Sequence, residues 1–278
     1  MMAEIGKYNH LRVVKELDFG LYLDGGELGE ILLPRRYVPP HCEVDSELEV
    51  FIYLDSEDRV IATTEEPLGT VGEFAYLKAV SVGKIGAFMD WGLMKDLLVP
   101  FREQKLKVEE GRSYVTYIYL DDESNRIVGS CKVEKYLDNI PPEFKLQQEV
   151  DLMIFAVSPL GYKAIINGTH SGVLYENEVF QNLRIGDKLK GYIKKVREDD
   201  KIDLSLQPEG YKKMDDLSEK IMAVLKQNEN FLDVTDKSPA ERISALFGMS
   251  KKNYKKAVGG LYKKGIITME DNGIKLKE

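Results

Sequence analysis

The sequence predicts a mainly β, multidomain chain: three small five-stranded barrels in tandem, then a helical α+β module. Three observations lead there. A unit of about 65 to 75 residues recurs three times through residues 1–209. Segments within each unit are short, β-branched and aromatic, separated by Gly, Asp, Asn and Pro, which is the composition of strands joined by turns. From Met214 onward the apolar pattern takes the period of a helix.

The repeat is anchored on three glycines. Phe19-Gly20-Leu21-Tyr22-Leu23-Asp24, Ile85-Gly86-Ala87-Phe88-Met89-Asp90 and Leu160-Gly161-Tyr162-Lys163-Ala164-Ile165 share one register. Thirty-one residues after each glycine an aromatic precedes an isoleucine: Phe51-Ile52, Tyr117-Ile118 and Tyr192-Ile193. Each pair then runs through a charged turn into another strand-like segment, starting at Arg59, Arg126 and Lys201. About five strands in such a length suit a small barrel rather than a sandwich. Linkers are expected at Glu65-Glu66-Pro67, at Asn139-Ile140-Pro141-Pro142-Glu143 and at Gln207-Pro208-Glu209-Gly210, where proline removes ladder donors. Length alone suggests about two domains. The repeat raises this to four, at 1–66, 67–140, 144–208 and 211–278.

The last module reads as three helices and a hairpin. Met214, Leu217, Ile221, Val224 and Leu225 fall on one stripe. Ser238-Pro239-Ala240-Glu241 reads as a capping box opening a helix through Ile243, Leu246 and Phe247. Gly248-Met249-Ser250 ends that helix and caps the next, whose buried stripe is expected to be Tyr254, Ala257, Val258, Leu261 and Tyr262. Gly265 stops it, and Ile266 to Met269 with Ile274 to Leu276 form the hairpin around Asp271-Asn272-Gly273.

Composition narrows the function. Of 278 residues 43% are hydrophobic and 31% charged, enough for packed cores, so a wholly disordered chain is excluded. No apolar stretch approaches the ~20 residues of a membrane helix. The run Met1 to Lys7 lacks the pattern of a secretory signal, which makes the cytoplasm the expected location. Cys42 and Cys131 lie far apart without CxxC spacing and are expected as buried thiols. A net charge of -8 argues against a generic polyanion binder. That charge is uneven, however: residues 1–209 net -12 and residues 210–278 net +4, so any grip on nucleic acid should strengthen toward the C-terminus.

The third unit resembles the S1 RNA-binding domain, an OB-fold barrel. Gly172-Val173-Leu174-Tyr175-Glu176-Asn177-Glu178 looks like the family's Gly-Leu-Val-His-x-Ser-Glu stretch, and Gly186-Asp187, Val196 and Leu204-Ser205-Leu206 look like its closing pattern. In the first unit Phe19-Gly20-Leu21-Tyr22 is similar to the S1 Phe-Gly-x-Phe strand, and Asp55 to Arg59 to its Asp-x-x-x-Arg turn. The resemblance implies that Phe19, Tyr22, Asp55 and Arg59 line an RNA face. The second unit keeps Phe88, Asp121 and Arg126, with Ile85 replacing the first aromatic and one extra residue in the turn. The family's histidine position falls near Leu32, Leu98 and Tyr175.

Strand parity supplies a separate argument, because alternate residues face opposite sides. Leu21, Leu23, Ala87 and Met89 should point inward, leaving Tyr22 and Phe88 outward. The same parity turns Tyr162 inward and Lys163 outward, so the third unit replaces stacking with charge at Lys163, Lys194, Arg197 and Lys201. Packing between barrels competes with stacking on bases at these aromatics, more strongly at Tyr53 and Tyr119 than at Tyr22 and Phe88.

Three helices, a tight middle turn and a terminal hairpin resemble a winged helix. The family places its recognition helix where this chain carries Lys251, Lys252, Lys255 and Lys256, with no Arg and only Asn253 to read bases. Three S1-like barrels followed by a winged helix are similar to the bacterial conserved virulence factor B family, the YitL-like S1 proteins. This resemblance implies a cytoplasmic protein that binds RNA and influences gene expression.

No P-loop or dinucleotide fingerprint is present, and His10, His41 and His170 share no ligand or triad spacing. Gly69-Thr70-Val71-Gly72 and Gly83-Lys84-Ile85-Gly86 imitate the KH loop but lie between no helices. The expected protein is therefore a non-enzymatic, cofactor-free binder of single-stranded RNA, with avidity from linked weak sites. Its rivals are a winged-helix regulator binding duplex DNA and an adaptor docked on the ribosome or RNA polymerase.

Overall fold

The computed structural model describes residues 3–179, 181–208 and 213–277, without the side chains of 213–216. It forms two compact units, residues 1–140 with 168–170 and residues 141–167 with 171–278. The first unit contains two closed five-stranded barrels, and the second contains a third barrel and a helical module with a three-stranded sheet. The mainly β expectation holds.

Barrel 1 is built from β1 (Tyr8–Leu17), β2 (Gly20–Asp24), β3 (Glu30–Pro34), β4 (Glu47–Leu54) and β5 (Val60–Thr63), in the order β1-β2-β3-β5-β4. Only β3 and β5 pair in parallel. Barrel 2 repeats the plan with β6 (Phe74–Val82), β7 (Gly86–Asp90), β8 (Leu97–Pro100), β9 (Ser113–Leu120) and β10 (Ile127–Ser130). Barrel 3 uses β11 (Glu149–Ser158), β12 (Gly161–Ile166), β13 (His170–Tyr175), β14 (Lys188–Val196) and β15 (Ile202–Ser205). The long first strand of each carries a register shift, between Val13 and Lys15, Ala79 and Ser81, and Ile154 and Ala156, which bends it around the barrel.

The repeat glycines have one steric cause. A Cβ on Gly20 would lie 2.3 Å from the Leu33 carbonyl oxygen, on Gly86 2.3 Å from that of Val99, and on Gly161 2.2 Å from that of Leu174. Only glycine lets the second strand approach the third so closely. The isoleucines thirty-two residues on, Ile52, Ile118 and Ile193, are fully buried in their barrels.

The aromatics beside them face the opposite way, as parity requires. Phe51 and Tyr53 join the apolar cluster of barrel 2, where Phe51 meets Trp91 edge-on at 5.8 Å. Tyr117 and Tyr119 are covered instead by Tyr136, whose ring stacks on Tyr117 at 4.0 Å. Tyr53 packs between barrels 1 and 2, whereas Tyr119 packs within barrel 2 against Tyr117 and Tyr136; burial pushes the Tyr53 hydroxyl up to about 12. In barrel 3 the corresponding outward row of β14 is Lys190, Tyr192 and Lys194. That change from aromatic to cationic shapes the candidate site.

The helical module comprises α1 (Lys213–Gln227), β16 (Phe231–Leu232), α2 (Ala240–Phe247), α3 (Lys251–Lys263), β17 (Ile267–Glu270) and β18 (Gly273–Leu276). Leu217, Ile221 and Leu225 are buried and Val224 packs beside them, while the side chain of Met214 lies outside the described residues. Glu209 and Gly210 of the third expected linker also lie outside them. Gly248 ends α2 in the left-handed conformation, and the Ser250 hydroxyl accepts from the Asn253 amide to cap α3.

Two details of this module correct the sequence reading. The Ser238 hydroxyl accepts from the Thr235 amide rather than capping α2, because the loop before Pro239 turns it back. Tyr262 is 54% exposed. Eight residues beyond Tyr254, it lies about 80° around the helix, off the stripe formed by Tyr254, Ala257, Val258 and Leu261. β16, two residues long, was not expected from the sequence and pairs with β18 to widen the hairpin into a sheet. Among the described residues no helix is long and apolar enough to cross a membrane.

Candidate nucleic-acid interface

In the first unit the nominated residues separate into two groups. Phe19 is 54% exposed at the β1–β2 turn and meets the Tyr22 ring edge-on at 6.2 Å. Tyr22 is half-buried, with the Lys15 ammonium 5.4 Å from its ring centre. Phe88 and Arg126 lie elsewhere, in a cleft of about 430 Å³ between barrels 1 and 2 that is also lined by Tyr53, Asp58, Trp91 and Lys95.

The Asp-to-Arg turns are structural in barrel 1. Asp55 accepts from the amides of Glu57 and Arg59 at 2.8 and 3.0 Å and takes a forked pair from the Arg59 guanidinium at 2.9 and 2.7 Å. Partial burial works to raise its pKa, but these hydrogen bonds outweigh that and hold the carboxyl below the ordinary range. Arg59 is thus engaged by Asp55 and by Glu57 at 3.0 Å. In barrel 2 the extra residue changes partners: Asp121 accepts from Ser124 and Arg102, and Arg126 instead pairs with Asp58 of barrel 1.

The second unit gathers more. A cleft of about 820 Å³ lies between β14 and the N-terminal part of α3, and Lys190, Lys194, Lys220, Lys252 and Lys256 line it with Asn253. Glu178 is the single carboxylate among the described lining residues, and it pairs with Lys194 at 2.5 Å. Spacing on α3 divides the four nominated lysines. Lys252 and Lys256, four apart, turn to the cleft. Lys251 reaches the Lys237 carbonyl at 3.3 Å, and Lys255 reaches Asp236 at 3.4 Å.

Beside the cleft, Tyr175 holds a polar cluster. Its hydroxyl donates to Asp203 at 3.0 Å and accepts from Arg197, whose guanidinium also grips Asp203 at 2.8 and 3.1 Å. Asp203 and this hydrogen bond hold the Arg197 guanidinium above its ordinary value. The Lys194 ammonium lies 6.0 Å from the Tyr175 ring, linking this cluster to the cleft. Lys201 pairs with Asp199 at 2.6 Å, and neither Lys201 nor Lys163 lines the cleft.

Strand register corrects the histidine position. Leu32 and Leu98 stand opposite Tyr22 and Phe88. The glycine contacts make Leu174 the counterpart of Leu33 and Val99, so Tyr175 corresponds to Pro34 and Pro100. Alignment by apolar letters shifts these short strands by two residues without breaking parity, which is why the slip is invisible in sequence. Lys190 and Lys220 were also missed. The alternation Lys190-Tyr192-Lys194 on β14 was the available signal for the first; Lys220 needed the tertiary fold.

The remaining groups are apart. His10 faces Glu49 at 3.2 Å, and His170 is buried with its ring nitrogen 2.9 Å from the Thr169 hydroxyl. Both cysteines are free and half-buried, and burial raises the Cys131 thiol to about 11.

Comparison with known proteins agrees with this architecture. An S1 domain family model matches residues 5–65, and a CvfB-like winged helix domain model matches residues 219–276. The chain is 28% identical over 278 residues to YitL of Bacillus subtilis strain 168, covering 96% of this chain and 91% of that one. It is 25% identical over 244 residues to conserved virulence factor B of Staphylococcus saprophyticus, covering 85% and 81%. The chain is a homologue of the conserved virulence factor B and YitL proteins. A crystal structure of a multidomain protein with nucleic acid binding domains from Streptococcus pneumoniae TIGR4 covers 98% of each chain at 24% identity and a TM-score of 0.45. In this conserved virulence factor B homologue the S1 match falls on barrel 1, although the sequence of barrel 3 resembles the S1 motif over a longer stretch.

Proposed function

We propose that the chain is a non-enzymatic binder of single-stranded RNA that works in the cytoplasm on gene expression, with modules at 1–66, 67–140, 144–208 and 211–278. The convergence of Lys190, Lys194, Lys220, Lys252 and Lys256 on one cleft carries this reading. Ammonium groups on both walls suit a phosphodiester strand, and Tyr175 beside Lys194 supplies a ring where a base can stack. S1 and winged-helix domains on one chain support nucleic acid as the partner.

A single strand fits better than a duplex. A helix that reads the major groove must present its face to a groove about 12 Å wide. Lys252, Asn253 and Lys256 instead line a cleft together with Lys190 and Lys194 of barrel 3. Barrels 1 and 2 add weaker contacts through Phe19 and Tyr22, with avidity set by the linked modules.

The test compares an unstructured RNA with a duplex DNA of equal length, binding the full chain across a salt series. Tighter binding of the RNA supports the proposal. Duplex preference points to a DNA regulator, and no affinity for either points to an adaptor on the ribosome or RNA polymerase.

A further inference from the structure

The cleft between barrels 1 and 2 holds recognition chemistry that barrel 3 and α3 do not use. One wall is the β7–β8 face of barrel 2, where half-buried Phe88 lines the cleft together with two exposed apolar side chains, Ile85 at 59% and Met94 at 64%. The other wall is the β4–β5 turn of barrel 1, which presents Asp58. Two cations grip that carboxylate: Arg126 pairs with one oxygen, and the Lys95 ammonium lies 3.8 Å from the other. Lys95 also donates to the Asp55 carbonyl at 2.6 Å.

Two cations around one anion, beside a half-buried ring, form the contact set of a nucleotide: the cations take a phosphate and the open face of the ring takes the base. The S1 resemblance already assigns Phe88 and Arg126 to an RNA face; we propose that Asp58 of barrel 1 masks that face, its carboxylate occupying the phosphate position between Arg126 and Lys95 until single-stranded RNA displaces it.

The turn itself does not require that charge. Asp55, not Asp58, takes the hydrogen bonds that shape the loop. Asp58 adopts a left-handed backbone with φ 61°, and the same conformation recurs at Asn125 with φ 53° and at Asp200 with φ 60° in the other two barrels. Asparagine therefore serves the backbone at this position equally well. The negative charge finds its use across the cleft. Burial lowers the pKa of the Lys95 ammonium even with Asp58 and Asp55 nearby, so an anion at that point stabilises the charged form.

The inference rests on the reading of the chain as an RNA binder, but not on the barrel 3 cleft as the main site. Its test uses the full chain and a labelled oligouridylate of about 12 nucleotides, within the span of one OB barrel. Asp58→Asn should tighten binding on the order of 3- to 10-fold, the scale of freeing charged phosphate contacts. Adding Arg126→Ala should remove the gain. Asp58→Gly, which also suits the left-handed backbone, is the second variant in case the first unfolds early. The gain should persist when Lys194, Lys252 and Lys256 are alanine. Unchanged or weaker binding by both folded Asp58 variants overturns the proposal, as does a gain that disappears in the lysine-depleted chain. If the lysine substitutions leave affinity intact while Asp58→Asn still tightens it, the barrel 3 reading fails and this one stands.

Discussion

The Lys194 ammonium lies 2.5 Å from the Glu178 carboxylate, so the ammonium over the Tyr175 ring is held by an acid of its own barrel. The two side chains keep 34% and 40% of their surface in water, and such a pair is worth roughly 0 to 1 kcal/mol. Glu178→Gln should release Lys194 to phosphate and tighten RNA binding up to about fivefold at low salt, which is under ~1 kcal/mol. Fluorescence anisotropy at two ionic strengths checks this. Weaker binding would mean that Glu178 orients the cleft instead of competing with its ligand.

The four lysines of α3 should not be equivalent. Lys252→Ala with Lys256→Ala removes two cleft cations, whereas Lys251→Ala with Lys255→Ala removes groups turned toward Lys237 and Asp236. For a single strand each lost phosphate contact reduces the slope of log affinity against log salt by about 0.7. The first pair should flatten the slope by roughly 1.4 and the second should leave it nearly unchanged. Equal effects would place the RNA along the outside of α3.

Much of the fold was legible because its cause is local. The glycine at the head of each second strand answers a carbonyl just over 2 Å from any added Cβ, and that need repeats wherever the barrel does. Parity placed Leu21, Leu23, Ala87 and Met89 inside correctly, since alternation survives any packing. Parity failed as a guide to register: a two-residue slip moved the histidine position from Pro34 and Pro100 to Leu32 and Leu98. The partner of Arg126 and the role of Lys220 were out of reach, because each depends on an element distant in the chain.

Acid should act on barrel 1 through Asp55. Its carboxyl is held below the ordinary value near 4, so the folded state binds its proton less readily than the unfolded chain. The stabilisation is therefore present above that value and is lost as pH falls through the lower folded one, from about pH 5 downward. Asp55→Asn should flatten the fall in thermal midpoint over this range, relative to the unsubstituted chain. Parallel curves would contradict the hydrogen-bonded turn.

Gly86→Ala should destabilise barrel 2 by at least ~2 kcal/mol, because the added methyl meets backbone of β8 at Val99 and Pro100 that cannot yield. At Gly29, where an added Cβ would meet nothing within 4 Å, alanine should cost less and act only through the positive φ of 74°. Urea unfolding of the two variants distinguishes them. Similar midpoints would remove the steric account of the repeat.

Photocrosslinking of bound single-stranded RNA to the full chain, followed by peptide mapping, tests the central claim most directly. The account predicts adducts on peptides carrying Tyr175, Lys194 and Lys252 to Lys256, lost together when excess unlabelled RNA competes. Adducts confined to Phe19 and Tyr22, or to the β17–β18 hairpin, would contradict it.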